Sequence, residues 1–250
     1  MRPFLCFGVF AALLLPWSVL QADDLSGALA RADKLEDGGQ PVQAAELLET
    51  LDRASPGNPA VARRLSRVYA DQIDLVPDTR KKRALARQAL AYGQAAVAKA
   101  PTDGDAHLAL AIAYGQMADY VDNRTKMEYS KHVQTEAERA IQLNPKLGDG
   151  YEVLARWNFE MATLNPILAG IAQVLYGQLP PASREQSFEY FRKAIASAPD
   201  QIGYHAEYAR ALGKSNRTAE ANAEWRKVLQ LPAQDAEDRG YQREAIARLK

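Results

Sequence analysis

Four arginines stand where a helical repeat would present its inner surface: Arg63, Arg67, Arg156 and Arg210. A guanidinium grips a carboxylate or phosphate through two parallel hydrogen bonds, a geometry that a lysine ammonium does not offer. The same register places the apolar Leu108, Ile112 and Phe159 among them, together with Glu152. These side chains would make a trough with a greasy floor and cationic fixtures, suited to an anionic group on a peptide or acyl body. Two fates are open to the arginines. They hold a partner, or they pair with acids such as Glu152 and with water.

Other chemistry is thinly represented. His107 follows Pro101 and His205 follows Pro199 at the same distance, and that equivalence marks a structural slot. His132 lies in a polar stretch with no second ligand at a metal-binding spacing. Glu136 and Glu138 do not share a helix face and make a poor acid–base couple. The chain holds no His-Glu-x-x-His run, phosphate-cradling glycine loop or Gly-x-Ser-x-Gly elbow. The expectation is a protein that is not an enzyme and has no catalytic residues, metal or cofactor. Trp157 and Trp225 read as core wedges, Trp225 in the slot that Phe191 takes one unit earlier.

The elements that must position these residues are legible in a repeat. Ala96 precedes Pro101, Ala140 precedes Pro145 and Ala194 precedes Pro199, each by the same interval. After these prolines one apolar spacing returns: Leu110, Ala111 and Tyr114; Leu154, Ala155 and Asn158; Tyr208, Ala209 and Leu212. Pro56 starts the series with Leu65, Ser66 and Tyr69. A small-residue helix stopped by proline and followed by an amphipathic helix is one unit of a helical repeat. Such a unit cannot bury its apolar face alone, so units stack and leave a concave surface.

From Asp23 onward apolar positions recur at three and four residues, and no stretch alternates as a strand would. The spacing predicts helices over 24–36, 42–53, 59–73, 79–99, 104–121 and 126–143. Further helices are expected over 147–163, 166–176, 183–198, 202–212, 219–229 and 235–249. Pro199 to Pro232 spans 33 residues, close to a tetratricopeptide period of about 34. Pro56 to Pro101 spans 45 and Pro101 to Pro145 spans 44, so those units should carry longer helices, with the excess shared between both. The 54 residues from Pro145 to Pro199 contain an insertion over Leu164–Pro181 with an apolar helix, Ile167 to Tyr176. That helix is open to two readings, ordinary core or a lid over a hydrophobic channel; a helix apolar nearly all round is usually buried. The fold class is all-α, a tetratricopeptide-like right-handed solenoid of about five units with an inserted helix.

Composition fits one soluble domain. Hydrophobic residues make up 47% and charged residues 25%, and 31 basic side chains balance 31 acidic ones. No global charge steers the chain to nucleic acid. Arg2, the uncharged run Phe4–Leu15, Pro16 and the small Ala22 before Asp23-Asp24 have the layout of a secretory signal peptide. Residues 1–22 are therefore expected to be a cleaved signal, and 23–250 the repeat domain, periplasmic or secreted. The alternative is an inner-membrane anchor through residues 3–22, about long enough to span a bilayer and the one route to membrane contact. Cleavage would remove Cys6, the single cysteine.

At the insertion the chain resembles a known family. Arg156-Trp157-Asn158-Phe159-Glu160-Met161-Ala162 is followed by the apolar helix, then Leu175-Tyr176-Gly177-Gln178-Leu179-Pro180-Pro181 and Glu189-Tyr190-Phe191-Arg192-Lys193-Ala194. This order is similar to the regulator-of-microtubule-dynamics family of tetratricopeptide-like proteins, which includes exported bacterial members. The likeness covers 150–250 most strongly and continues back to about Ala28; the family commonly carries another residue where Asn158 stands. The resemblance implies an all-helical repeat and no catalytic centre. Eukaryotic relatives are associated with microtubules, and one relative at mitochondrial contacts has a lipid-carrying repeat domain. An exported chain would not meet microtubules. The function expected is a scaffold whose groove binds a peptide or partner protein. The alternative is a lipid or hydrophobic-ligand carrier walled by Leu108, Ile112, Phe159 and the inserted helix.

Overall fold

A computed structural model describes residues 17–176 and 182–250. Residues 1–16, which hold most of the expected signal segment, and 177–181 of the insertion lie outside the described residues. The described residues form twelve α-helices and no strand. They are α1 (Trp17–Asp37), α2 (Pro41–Ala54), α3 (Pro59–Asp71), α4 (Thr79–Lys99), α5 (Gly104–Ala118) and α6 (Asn123–Leu143). The rest are α7 (Gly148–Ala162), α8 (Pro166–Tyr176), α9 (Arg184–Ser197), α10 (Ile202–Lys214), α11 (Thr218–Gln230) and α12 (Ala236–Arg248). A short 3-10 turn, Gln72–Leu75, extends α3. The first helix begins at Trp17, upstream of the expected Asp24, so the processing point after Ala22 falls within it. No helix among the described residues is long and apolar enough to cross a membrane.

Local chemistry fixes the helix starts. Asn58, Asp78, Asp103 and Asp122 each accept hydrogen bonds from two backbone N–H groups of the following first turn. Such caps satisfy donors that the helix itself cannot. Pro41 and Pro59 sit at the start of α2 and α3, where the missing N–H costs nothing.

The helices pack as antiparallel pairs: α1 with α2, α3 with α4, α5 with α6, α7 with α9, and α10 with α11, with α12 closing the end. This is the five-unit solenoid that the repeat implies. The longer middle unit is confirmed, but its excess is not shared evenly. The first helix α5 has 15 residues against 13 in α10, whereas the second helix α6 has 21 against 13 in α11. The first helices α3, α5, α7 and α10 run along the inner face and keep to 13 to 15 residues. Second helices are free to overhang.

Close approach between pairs needs small residues. A Cβ on Gly93 of α4 would lie 2.9 Å from Ser66 Oγ and 3.1 Å from Leu110 Cα. Ser66 is buried and donates to the Ala89 carbonyl at 2.9 Å, tying α3 to α4 where α5 also meets them. The histidine slots are structural, as their equivalence implies. His107 Nδ1 lies 2.5 Å from Glu136 Oε2 and its Nε2 3.0 Å from the Pro101 carbonyl. His205 repeats this with Glu224 at 2.6 Å and the Pro199 carbonyl at 3.0 Å. Each ring fastens the first helix of a unit to its second helix and to the preceding turn.

The inserted helix corrects the expectation of burial all round. α8 packs on α6, with Ala172 fully buried and Leu168, Ile171 and Leu175 against Leu110, Tyr114, Met127 and Trp157. Its other face is open, with Ile167 69% and Val174 83% exposed.

Candidate functional site

The first helices turn one stripe inward. α3, α5, α7, α10 and α12, with the N-terminal half of the second helix α6 and the start of α8, wall an open cavity of about 650 Å³. Arg67, Ile112 and Arg156 occupy equivalent positions on α3, α5 and α7. One helical turn further come Asp71, Gln116 and Glu160, and all six line the cavity. A four-residue step keeps a helix face, so both triplets look the same way.

Of the side chains expected in the groove, Arg67, Ile112, Glu152 and Arg156 are there. The other four are elsewhere. Leu108 is buried among the α5 core, because the small α5 is covered on nearly every face. Phe159 packs in the core with Phe188, Phe191 and Tyr208, since its position turns away from the inner stripe toward α9. Arg63 sits in a shallow acidic recess outside the groove, 3.8 Å from Asp103 and 3.6 Å from Asp105. Arg210 lies at the C-terminal rim, bonded to Glu207 and Glu244 and stacked 5.1 Å from the Tyr241 ring. The wall named for an acyl chain is thus incomplete: Leu108 and Phe159 do not face the cavity.

The arginines that do face it are engaged. Arg67 Nη1 contacts Asp149 Oδ2 at 3.2 Å, while its buried Nε has no hydrogen-bond partner. Burial works against the Arg67 charge, but Asp149, Asp71 and Glu36 outweigh it and the pKa is raised. Asp149 also accepts the Tyr204 hydroxyl from α10 at 2.5 Å, which links the second, fourth and fifth units. Arg156 reaches Glu152 at 3.7 Å and is held strongly charged by it.

The sign of the groove is the reverse of the expected one. Nine carboxylates line it, Asp71, Asp119, Asp149, Glu152, Glu160 and Glu207 plus Asp235, Glu237 and Asp238 at the α12 end, against three cations, Arg67, Lys126 and Arg156. Lys126 is itself paired with Asp119 at 3.0 Å. Burial pushes Glu152 up to about 7, opposed by Arg156. Desolvation by the surrounding groove walls likewise lifts Asp71 to about 6, opposed by Arg67, and raises Glu160, although both side chains keep contact with solvent. Crowded carboxylates partly out of water hold protons more tightly than isolated ones.

The residues that sequence reasoning missed, Asp71, Asp149 and Glu160, were within reach of its own rule. Extending the arginine positions by one turn names Asp71 and Glu160. Asp149 lies one turn before Val153, which also faces the cavity. The floor is apolar: Ile112, Val153, Trp157, Met161, Leu164 and Leu168. Trp157 remains a core wedge, its indole N–H donating to the Ser130 carbonyl at 2.8 Å, with one edge at the cavity. Among the described residues no group of three His, Cys, Asp or Glu side chains is placed to hold a metal ion.

Comparison with known proteins bears on the family and the fold. Residues 28–250 match the profile of a family described as RMD1-3: Regulator of microtubule dynamics protein 1-3. Regulator of microtubule dynamics protein 1 of Mus musculus is 28% identical over 222 residues, covering 87% of this chain and 71% of that protein. Regulator of microtubule dynamics protein 3 of Mus musculus is 26% identical over 240 residues, 91% of this chain but 50% of the relative, so the chain spans about half of that protein. Among solved structures, a thermophilic TPR protein of Thermus thermophilus superposes with a TM-score of 0.66 at 19% identity. It covers 90% of this chain and 98% of its own, and it shows the fold.

Proposed function

The chain belongs to the regulator of microtubule dynamics protein 1-3 family, and on that premise we propose that it is a non-enzymatic scaffold whose concave groove holds an extended segment of a partner protein. The observation that carries this reading is the cavity of about 650 Å³ walled by the first helices α3, α5, α7 and α10 together with α6, α8 and α12. Its length along the stack suits a chain laid across units, with an apolar floor to bury side chains and polar walls to orient them. The relatives' name speaks of microtubules; the proposal takes over only the interaction with another protein.

The test uses a photo-crosslinking residue at Gln116, which faces the cavity, and separately at Glu46, exposed on the back of α2. The full chain is offered a random decapeptide library. Retained peptides should crosslink at Gln116 and not at Glu46. Crosslinking confined to Glu46, or no retained peptide, removes the groove as the site.

A further inference from the structure

Resting on the groove reading, we infer that the segment held there is basic: an apolar stretch flanked by lysine or arginine, seated on the Ile112–Trp157 floor with its cations against Asp71, Glu152 and Glu160.

Charge complementarity carries the choice of occupant. The whole chain balances 31 basic against 31 acidic residues, yet nine carboxylates and three cations face this one cavity. The excess is therefore local and not a by-product of composition. Two of the three cations already hold a carboxylate closely, and the third has one nearby. Arg67 is committed to Asp149 at 3.2 Å, Lys126 to Asp119 at 3.0 Å, and Arg156 lies 3.7 Å from Glu152. An acidic or phosphorylated segment would have to displace those partners and would then meet the surplus carboxylates. Like charges brought together in a desolvating groove are a strong selection against the wrong guest.

The carboxylates, by contrast, have capacity to spare. Among the described residues Asp71 and Glu160 make no ion pair within 4.0 Å, and Glu152 has only its long contact with Arg156. The groups facing Glu152 come from every wall: Asp149 and Arg156 on its own helix, Arg67 on α3 and Glu207 on α10. Negative neighbours and burial together hold it proton-hungry near neutrality, and an incoming guanidinium or ammonium would relieve both. Apolar side chains would occupy the floor between these anchors, at Ile112, Val153 and Leu168.

The experiment reads the charge of what the groove keeps. The full chain, carrying the crosslinker at Gln116, is challenged with a positional-scanning decapeptide library. Lysine and arginine should be enriched about fivefold or more over aspartate and glutamate among the peptides joined at Gln116. For the best such peptide, the triple variant Asp71→Asn, Glu152→Gln, Glu160→Gln should weaken binding about tenfold, while Glu46→Gln and Glu189→Gln on exposed outer faces leave it unchanged. Raising salt should weaken binding to the parent chain far more than to the triple variant, because exposed charge attraction is screened over about 10 Å at 0.1 M. Peptides joined at Gln116 with no charge preference, or with acidic preference, overturn the basic segment and leave the groove reading intact. Peptides joined only at Glu46 overturn the groove reading itself. An unweakened triple variant removes these three carboxylates as the anchors.

Discussion

The back seam of the solenoid and its inner groove are built from the same helices, yet they obey different rules. In the seam the histidine clamps find their partners within one unit, and the arrangement recurs. His107 with Glu136 and His205 with Glu224 make the same clamp two units apart, separated by 29 and 19 residues because α6 is the longer second helix. In the groove the longest links join different units: Arg67 meets Asp149 across 82 residues, and Asp149 meets Tyr204 across 55. The seam is repeated and apolar. The groove is unique and charged. The difference teaches that the stack is specified by each unit, whereas the binding surface is specified only by the order in which units are joined.

The sharpest way to break the seam is to empty it. Phe191 is 1% exposed and lies where α7, α9 and α10 meet, its ring stacked 5.5 Å from Tyr208. Phe191→Ala should cost about 3–5 kcal/mol, the range for removing a buried aromatic ring, read by urea unfolding of the full chain. A loss below about 1 kcal/mol would mean that the units hold together without this contact.

Groove carboxylates should behave in the opposite sense. Glu152 is pushed up to about 7 in the fold against 4.5 without it. A carboxylate with a raised folded pKa contributes most below its unfolded value and loses that contribution as pH rises through its folded value. The parent is therefore penalised above about pH 7, and Glu152→Gln removes the penalty. The variant should match the parent near pH 4 and be more stable at pH 8, by at most about 3 kcal/mol. Thermal melts at the two pH values check it. A variant less stable at pH 8 would show that Glu152 is a structural anchor for Arg156 and not a strained groove wall.

The contrast also explains what the sequence could tell. The ends of most helices lie within one or two residues of expectation, α4 and α8 without any difference, because prolines and capping aspartates punctuate the chain locally. The histidine slots and the Trp225 wedge were legible for the same reason: His107 and His205, and Phe191 and Trp225, recur at a fixed place in their units. The groove was half legible. Arg67, Ile112, Glu152 and Arg156 were found by counting from each proline, but Leu108 and Phe159 were not separable from them, since burial depends on which helix lies opposite. The acidic sign was missed because the acid that engages Arg67 comes from another unit and further acids arrive from α10 and α12. Likewise α8 reads as apolar nearly all round, and nothing in Ile167 or Val174 says that their face of the helix is left open.

The smallest effect gives the finest discrimination between the two regions. His205 has both ring nitrogens on acceptors, Glu224 and the Pro199 carbonyl. Burial works against its charged form, but the hydrogen bonds to Glu224 and Pro199 outweigh it, and the pKa is raised from 6.5. The sign follows: its contribution is complete below pH 6.5 and is lost as pH rises through the folded value. His205→Gln keeps a side chain of similar reach but cannot carry the charge. It should lose about 1 kcal/mol at pH 5.5, a typical net value for one intramolecular hydrogen bond, and markedly less at pH 8. Glu152→Gln should show a gain that grows over the same interval. Melts of the two variants at both pH values place them on one graph, where a seam residue approaches the parent with rising pH while a groove residue departs from it. Parallel lines would mean that seam and groove are not electrostatically distinct.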